Sequence, residues 1–190
     1  MNAIDPAALR KGRLKLLLVA SIFAAPFAMA LVLTLAGWQP GAKGHGQAIL
    51  PQRNFAAEQL PVRLADGKDW AWRDSTPRLT LVALPGPDCA ARCYAALTAM
   101  AKARVMLTQN QSRLRLLYVG TPPADTDERA GMANFWQVGS DVDGKLAAWR
   151  ATVPDSVSAV LVESNGTALA SYPAGFDPSG LLQDLQKVIK

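Results

Sequence analysis

Histidine and cysteine are scarce in this 190-residue chain, which has one histidine, His45, and two cysteines, Cys89 and Cys93. A hydrolase or other acid–base enzyme therefore finds no histidine base in the body of the chain. Ser164-Asn165-Gly166 reads as a turn rather than a nucleophile's setting, and the carboxylates are scattered in loops rather than paired. A basic stripe is missing too. The formal net charge is +5, but Arg10, Lys11, Arg13 and Lys15 face only Asp5 in the first fifteen residues. The rest is nearly balanced and has no interleaving of basic and aromatic residues, which argues against nucleic acid as a partner. No internal repeat or low-complexity tract interrupts the chain. Asp141-Val142-Asp143-Gly144 lacks the third oxygen position and the distal Glu of a calcium loop and is read as a turn.

Charge is absent altogether from residues 16–35, about the length needed to cross a bilayer core. Pro26 lies inside this stretch, where a membrane helix tolerates it better than a soluble one, and Trp38 follows where an interfacial aromatic belongs. The basic cluster flanks it on the N-terminal side, so the short N-terminus is expected in the cytoplasm and everything after Trp38 outside it. Ala28-Met29-Ala30 resembles a small-residue cleavage site, but the apolar run exceeds the roughly 7–15 residues of a signal peptide, and the reading is an uncleaved anchor. The expected organisation is a basic cytoplasmic N-terminus (1–15), a transmembrane helix (16–36), a linker (37–50) and an exported domain (51–190). Two cysteines in an oxidising compartment pair unless a reductant or a metal holds them apart. His45 falls in the Gly- and Pro-containing linker and is read as a solvated residue rather than a ligand.

The organising stretch is 79–109. Leu79-Thr80-Leu81-Val82-Ala83-Leu84 is an apolar run that predicts a buried strand. Pro85-Gly86-Pro87-Asp88 forbids helix until Asp88, whose carboxylate is expected to cap a helix over 89–109. Both cysteines then fall in its opening turn, where free N–H groups and the helix dipole favour a thiolate. Arg92 adds to that effect and Asp88 opposes it. Side chains four apart on a helix have Cβ atoms about 5–6 Å apart, whereas a disulfide wants about 3.8 Å, so the first turn is expected to flex on oxidation. Two thiolates side by side suit a soft ion such as Cu(I). Cys93, Leu97, Met100, Ala101 and Val105 form one helical stripe, and Met100 and Met106 are read as core fillers rather than thioether ligands.

Around this stretch the pattern predicts a hairpin over 60–72, with Asp66-Gly67 as its turn and Trp70 and Trp72 packed on one face. A strand follows over 114–119, then a short helix from Thr126 to Phe135-Trp136 and a helical turn through Leu146 and Trp149. A second hairpin spans 157–172 about Asn165-Gly166, and Pro178 opens a terminal helix with Leu181, Leu182, Leu185, Val188 and Ile189 on its apolar face. Strands alternating with helices give an α/β fold with a central sheet covered on both faces.

That order, with a cysteine pair opening the first long helix after a central strand, resembles the thioredoxin fold. The anchor and the Cys-x-x-x-Cys spacing are similar to the Sco family of copper chaperones for cytochrome c oxidase. The run from Cys89-Ala90-Ala91-Arg92-Cys93-Tyr94 to Leu97, Arg104-Val105-Met106-Leu107-Thr108-Gln109, and Leu50-Pro51-Gln52-Arg53 look like small anchored proteins associated with bacterial oxidase assembly genes. The resemblance covers about 50–190. It implies a thioredoxin-like mixed sheet flanked by helices, set in the periplasm behind a single-pass anchor in the bacterial inner membrane. It also implies that Cys89 and Cys93 are the reactive pair, Cys89 the more exposed thiol, and that both are the ligands if copper is carried. The implied partners are a respiratory oxidase subunit or copper-site assembly proteins. In Sco proteins a proline follows the second cysteine and a histidine before the late strand completes the copper site. Here Tyr94 takes the first place and the second falls near Asp155, while the proline that faces thioredoxin cysteines falls near Ser158. Two functions stand side by side: an assembly factor handling copper or thiols, more a chaperone than a thiol–disulfide oxidoreductase, or a non-catalytic tethered interaction module whose disulfide is structural.

Overall fold

The computed structural model describes residues 6–35 and 44–189, and the chain divides into two units between Lys43 and Gly44. In the first, α1 (Pro6–Leu35) is one helix with Pro26 inside it. Its 21 residues Lys15–Leu35 are long and apolar enough to cross a membrane, a test a signal sequence also passes. Leu16, Phe23, Phe27 and Leu31 are exposed. Ser21 and Thr34 donate their hydroxyl protons to the carbonyls of Leu18 and Ala30, so both donors are satisfied within the helix. Trp38 and the first half of the expected linker, 37–43, lie outside the described residues.

The second unit is built on a strand buried on both faces. Elements run β1 (Gln47–Ala48), β2 (Val62–Leu64), β3 (Leu79–Pro85), α2 (Ala91–Met106), β4 (Leu114–Val119), α3 (Thr126–Ala133), β5 (Gln137–Asp141), β6 (Val157–Val162), β7 (Ala168–Tyr172) and α4 (Pro178–Val188). The seven-stranded sheet has the order β1-β7-β6-β3-β4-β5-β2. β4 runs parallel to β3, β5 runs parallel to β4, and all other pairings are antiparallel. Alternation along β3 sends Leu81 and Ala83 into a core with Leu116 of β4 and with Leu97, Met100, Leu181 and Leu185 of the helices. Val82 and Leu84 go the other way, into a second core with Phe55, Trp70, Trp72, Leu117 and Val160. An uninterrupted apolar run is what a strand between two packed layers requires.

The structure redraws several sequence-based boundaries. α2 begins at Ala91 rather than Cys89 and gives way after Met106 to a 3₁₀ turn, Thr108–Arg113. Met100 is core as expected, but Val105 and Met106 are half or more exposed. The expected first hairpin survives as a turn, with Trp70 donating its N–H to the Val62 carbonyl. Its strand β2, however, pairs with β5 at the sheet edge. β1 pairs with β7 from within the stretch expected as linker. His45 is exposed there, as expected, but it is tethered to α4. Its N–H donates to Asp184 Oδ2 at 2.6 Å, as does that of Gly46 at 3.0 Å, and its ring meets Gln183 at 3.1 Å. The terminal hairpin turns at Gly166, whose φ of +91° suits glycine.

Candidate functional site

β3 delivers the chain to the site, and a missing side chain fixes its course beyond Pro85. A Cβ on Gly86 would stand 2.3 Å from the Val153 carbonyl oxygen, so only glycine lets the loop lie this close to the segment before β6. The Gly86 N–H donates to the Ser156 carbonyl at 2.9 Å, and the Asp155 N–H to the Asp88 carbonyl at 3.1 Å. Ser158 ties the same region down, with its hydroxyl against the carbonyls of Leu84 and Trp149.

The start of α2 is capped from across the fold. Asp155 Oδ1 accepts the N–H groups of Ala90 (3.0 Å) and Cys93 (2.9 Å), and Oδ2 accepts the N–H (3.1 Å) and Nε (3.2 Å) of Arg92. Asp88, the expected cap, is exposed, and the helix has no side-chain cap from its own flank. The Cys93 N–H foremost, then those of Arg92 and Ala90 and the Arg92 guanidinium, hold the Asp155 carboxyl below the usual carboxylate range against a smaller opposing effect of burial. One carboxylate thus fills the site where a free helix terminus would attract negative charge.

Cys89 and Cys93 are joined by a disulfide with Cα atoms 5.1 Å apart. No turn of α2 flexes to allow this, contrary to the sequence expectation. Cys89 precedes the helix, and the intervening Ala90 is extended (φ −108°, ψ −150°). The two sulfurs differ in setting. Cys93 is fully buried in the helix-side core, while Cys89 is half-buried. Cys89 borders a cleft of ≈ 510 Å³ formed by the loop from Pro85 to Ala90, by Thr121, Pro122 and Ala124, and by Arg150.

The residues weighed as further metal ligands do not converge on this pair. Asp155, near which the Sco resemblance expects a histidine, has both oxygens engaged by N–H donors, and carboxylate is a poor match for Cu(I). Met100 is buried, Met106 lies at the other end of α2, and His45 is held by α4. Among the described residues no group of three or more His, Cys, Asp and Glu side chains is placed to hold a metal. Among the described residues the site has two sulfurs and no third donor beside them, so the full copper set is not met there. Tyr94, at the position of the Sco proline, lines an apolar groove of ≈ 270 Å³ with Phe135 and Trp136.

A family described as transmembrane-like, thioredoxin-like, C-terminal domain matches residues 79–190. Among solved structures, apo Sco1 from Thermus thermophilus is similar with 14% identity and a TM-score of 0.52, over 78% of this chain and 99% of that one. Copper-bound ScoI from Arabidopsis thaliana is similar with 14% identity and a TM-score of 0.51, over 67% and 94%. Peroxiredoxin Q from Xanthomonas campestris has 15% identity and a TM-score of 0.53, over 75% and 99%. Identities this low establish a shared fold and no more. No curated protein matches the sequence.

Proposed function

The chain belongs to the transmembrane-like, thioredoxin-like C-terminal domain family, and from that premise we propose that it is a membrane-anchored thiol–disulfide exchange factor for the assembly of a respiratory cytochrome oxidase. The observation that carries the reading is the asymmetry of the pair: Cys89 borders an open cleft and Cys93 is sealed in the core behind it. In the reduced protein the Cys89 thiolate attacks a partner's disulfide, forming a Cys89–partner disulfide and expelling one partner thiolate. Cys93 then loses its proton and attacks Cys89 Sγ. The Cys89–Cys93 bond re-forms, and the second partner sulfur leaves as a thiolate that takes up a proton. Two electrons pass to the partner.

The Asp155 carboxylate supports a direction. It occupies N–H groups that would otherwise steady a thiolate and adds negative charge beside it, so it disfavours the reduced, ionised pair. A pair whose reduced form is not stabilised is a reductant rather than an oxidant. In this reading electrons leave the protein for a disulfide of an oxidase-assembly partner, which is reduced to two thiols, and a stronger dithiol recharges the pair. The anchor spans the bacterial inner membrane once, with the basic N-terminus in the cytoplasm and the domain in the periplasm; the basic cluster before the uncharged run supports that orientation. Copper carriage would use the two reduced sulfurs, with a third donor added by the partner at transfer.

The test uses the full chain in detergent. It combines the reduction potential measured against a glutathione series, trapping of mixed disulfides on Cys93→Ser, and Cu(I) titration of the reduced protein against a competing chelator. A potential above about −300 mV with trapping at Cys89 is expected. Stoichiometric Cu(I) binding lost in both Cys89→Ser and Cys93→Ser would put copper in place of electrons. A potential far below that value, with neither trapping nor copper, leaves a structural disulfide in a tethered interaction module.

A further inference from the structure

Arg150 is the charged wall of the Cys89 cleft that the exchange chemistry does not use. It ends the 3₁₀ turn Ala147–Trp149 and is half-buried. Among the described residues its guanidinium makes one hydrogen bond, from Nη1 to the Pro85 carbonyl at 3.3 Å. No carboxylate among the described residues pairs with it, whereas the comparably enclosed Arg115 and Arg53 are matched by Asp74 and Glu58. The fold also makes room for this guanidinium. A Cβ on Gly120 would stand 2.5 Å from Pro85 Cγ and 3.2 Å from Arg150 Nη1. Tyr118 beneath is a neutral phenol with its hydroxyl turned to the Thr121 carbonyl at 2.7 Å. Asp88 borders the same cleft and makes no ion pair with Arg150. A guanidinium with most of its donors unspent is built to receive a carboxylate in a fork of paired hydrogen bonds.

We propose that the Cys89 cleft is a docking slot for an extended segment of the partner polypeptide that carries a single carboxylate, in which Arg150 receives that Glu or Asp side chain while the partner's cysteine reaches Cys89. This specifies the partner chemistry of the exchange reading and rests on it for its purpose, but not for its detection. Asp88 at the rim disfavours a run of acidic residues, so the slot selects a segment with a single carboxylate. The prolines 85, 87 and 122 and Ala124 supply an apolar surface for its flanks.

The docking experiment uses the isotope-labelled full chain in micelles with its disulfide intact. Peptides with a central serine in place of cysteine and a single Glu as their one charged side chain are titrated in, that Glu being moved along the sequence, and the Arg150 Nε–H and Thr121 amide signals are followed. Saturable shifts are expected for a Glu position, with affinity about tenfold above the Gln counterpart, the discrimination that ~1.4 kcal/mol supplies. Arg150→Gln should remove the difference between the peptides and Arg150→Glu should transfer the preference to a Lys peptide, each variant's fold being checked by circular dichroism. Equal shifts from Glu and Gln peptides overturn the slot, as do equal shifts from acetate at the same concentration, which would leave a simple anion site. A second arm reacts Cys93→Ser with aryl mixed disulfides of the cysteine-bearing peptides. Docking without a mixed disulfide would sink the exchange reading and leave the slot standing. Mixed disulfides forming at one rate whatever the peptide charge would do the reverse.

Discussion

Asp155 concentrates more of this site's behaviour than either sulfur. It sits at φ +51°, a left-handed conformation that costs an ordinary residue and that Asp tolerates better than most. The return is a carboxylate that reaches three N–H groups and one guanidinium at once. Asp155→Asn keeps the shape, removes the charge and swaps one acceptor oxygen for a donor. The expected result is a less negative disulfide potential, because the ionised pair loses its repelling neighbour, together with a lower melting temperature. Glutathione equilibration and thermal melts read the two. Their pH dependence has a fixed sign. The folded carboxyl titrates below its ordinary value of about 3.9, so its stabilisation is complete above that pH and fades as pH falls through the lower, folded pKa. Asp155→Asn should flatten that part of the acid limb, and a variant whose potential does not move would uncouple the carboxylate from the sulfurs. In the sequence Asp155 was visible only by counting to the place where Sco proteins keep a histidine. Its cap acts on residues more than sixty positions earlier, so no local motif announces it, and Asp88, the nearest candidate, attracted the assignment.

At the scale of elements, legibility followed how much of an element's burial is written in its own residues. β3, β4 and β6 are apolar on both faces, and their limits were close to those read from sequence. So were those of α4, which carries both a proline start and an apolar stripe. β5 reads Gln-Val-Gly-Ser-Asp, with one apolar side chain. It is a strand because β4 and β2 flank it, and Gly139 has Val62 where a Cβ would clash at 2.8 Å. β1 is two exposed residues held by β7 and, through His45 and Gly46, by Asp184. Such elements are dictated by neighbours distant in sequence. The same dependence makes Gly86 the sensitive point of the loop carrying Cys89. In Gly86→Ala the new methyl meets a backbone oxygen, which has no rotamer by which to retreat. A loss of about 1–3 kcal/mol is expected, read as a lower urea midpoint with an unchanged slope. Faster attack on Cys89 by small thiols should accompany it as the loop lifts from Val153. A fully wild-type midpoint would show that the segment 153–156 shifts freely, and with it the Asp155 cap.

For the second unit as a whole the question is whether the disulfide holds the fold or merely rides on it. The two readings of function part at this point. The closed loop spans only four residue steps, and chain-entropy arguments give so short a loop about 2 kcal/mol. A domain of this size commonly has 5–15 kcal/mol in hand. Its stability here is distributed over two apolar layers on a seven-stranded sheet, of which the pair touches only the helix-side one. The start of α2 is also secured independently, since the Asp155 bonds go to backbone N–H groups that reduction leaves in place. Reduction should therefore lower the melting temperature by about 4–8 °C, the shift that ~2 kcal/mol produces in a protein of this length. Backbone amide protection in β3, β4 and β6 should stay intact. An exchange factor requires that outcome, because it must remain folded in both oxidation states to meet its partner twice. A domain that instead loses its sheet protection on reduction uses the bond as a staple, and its cysteines then have no second state in which to act.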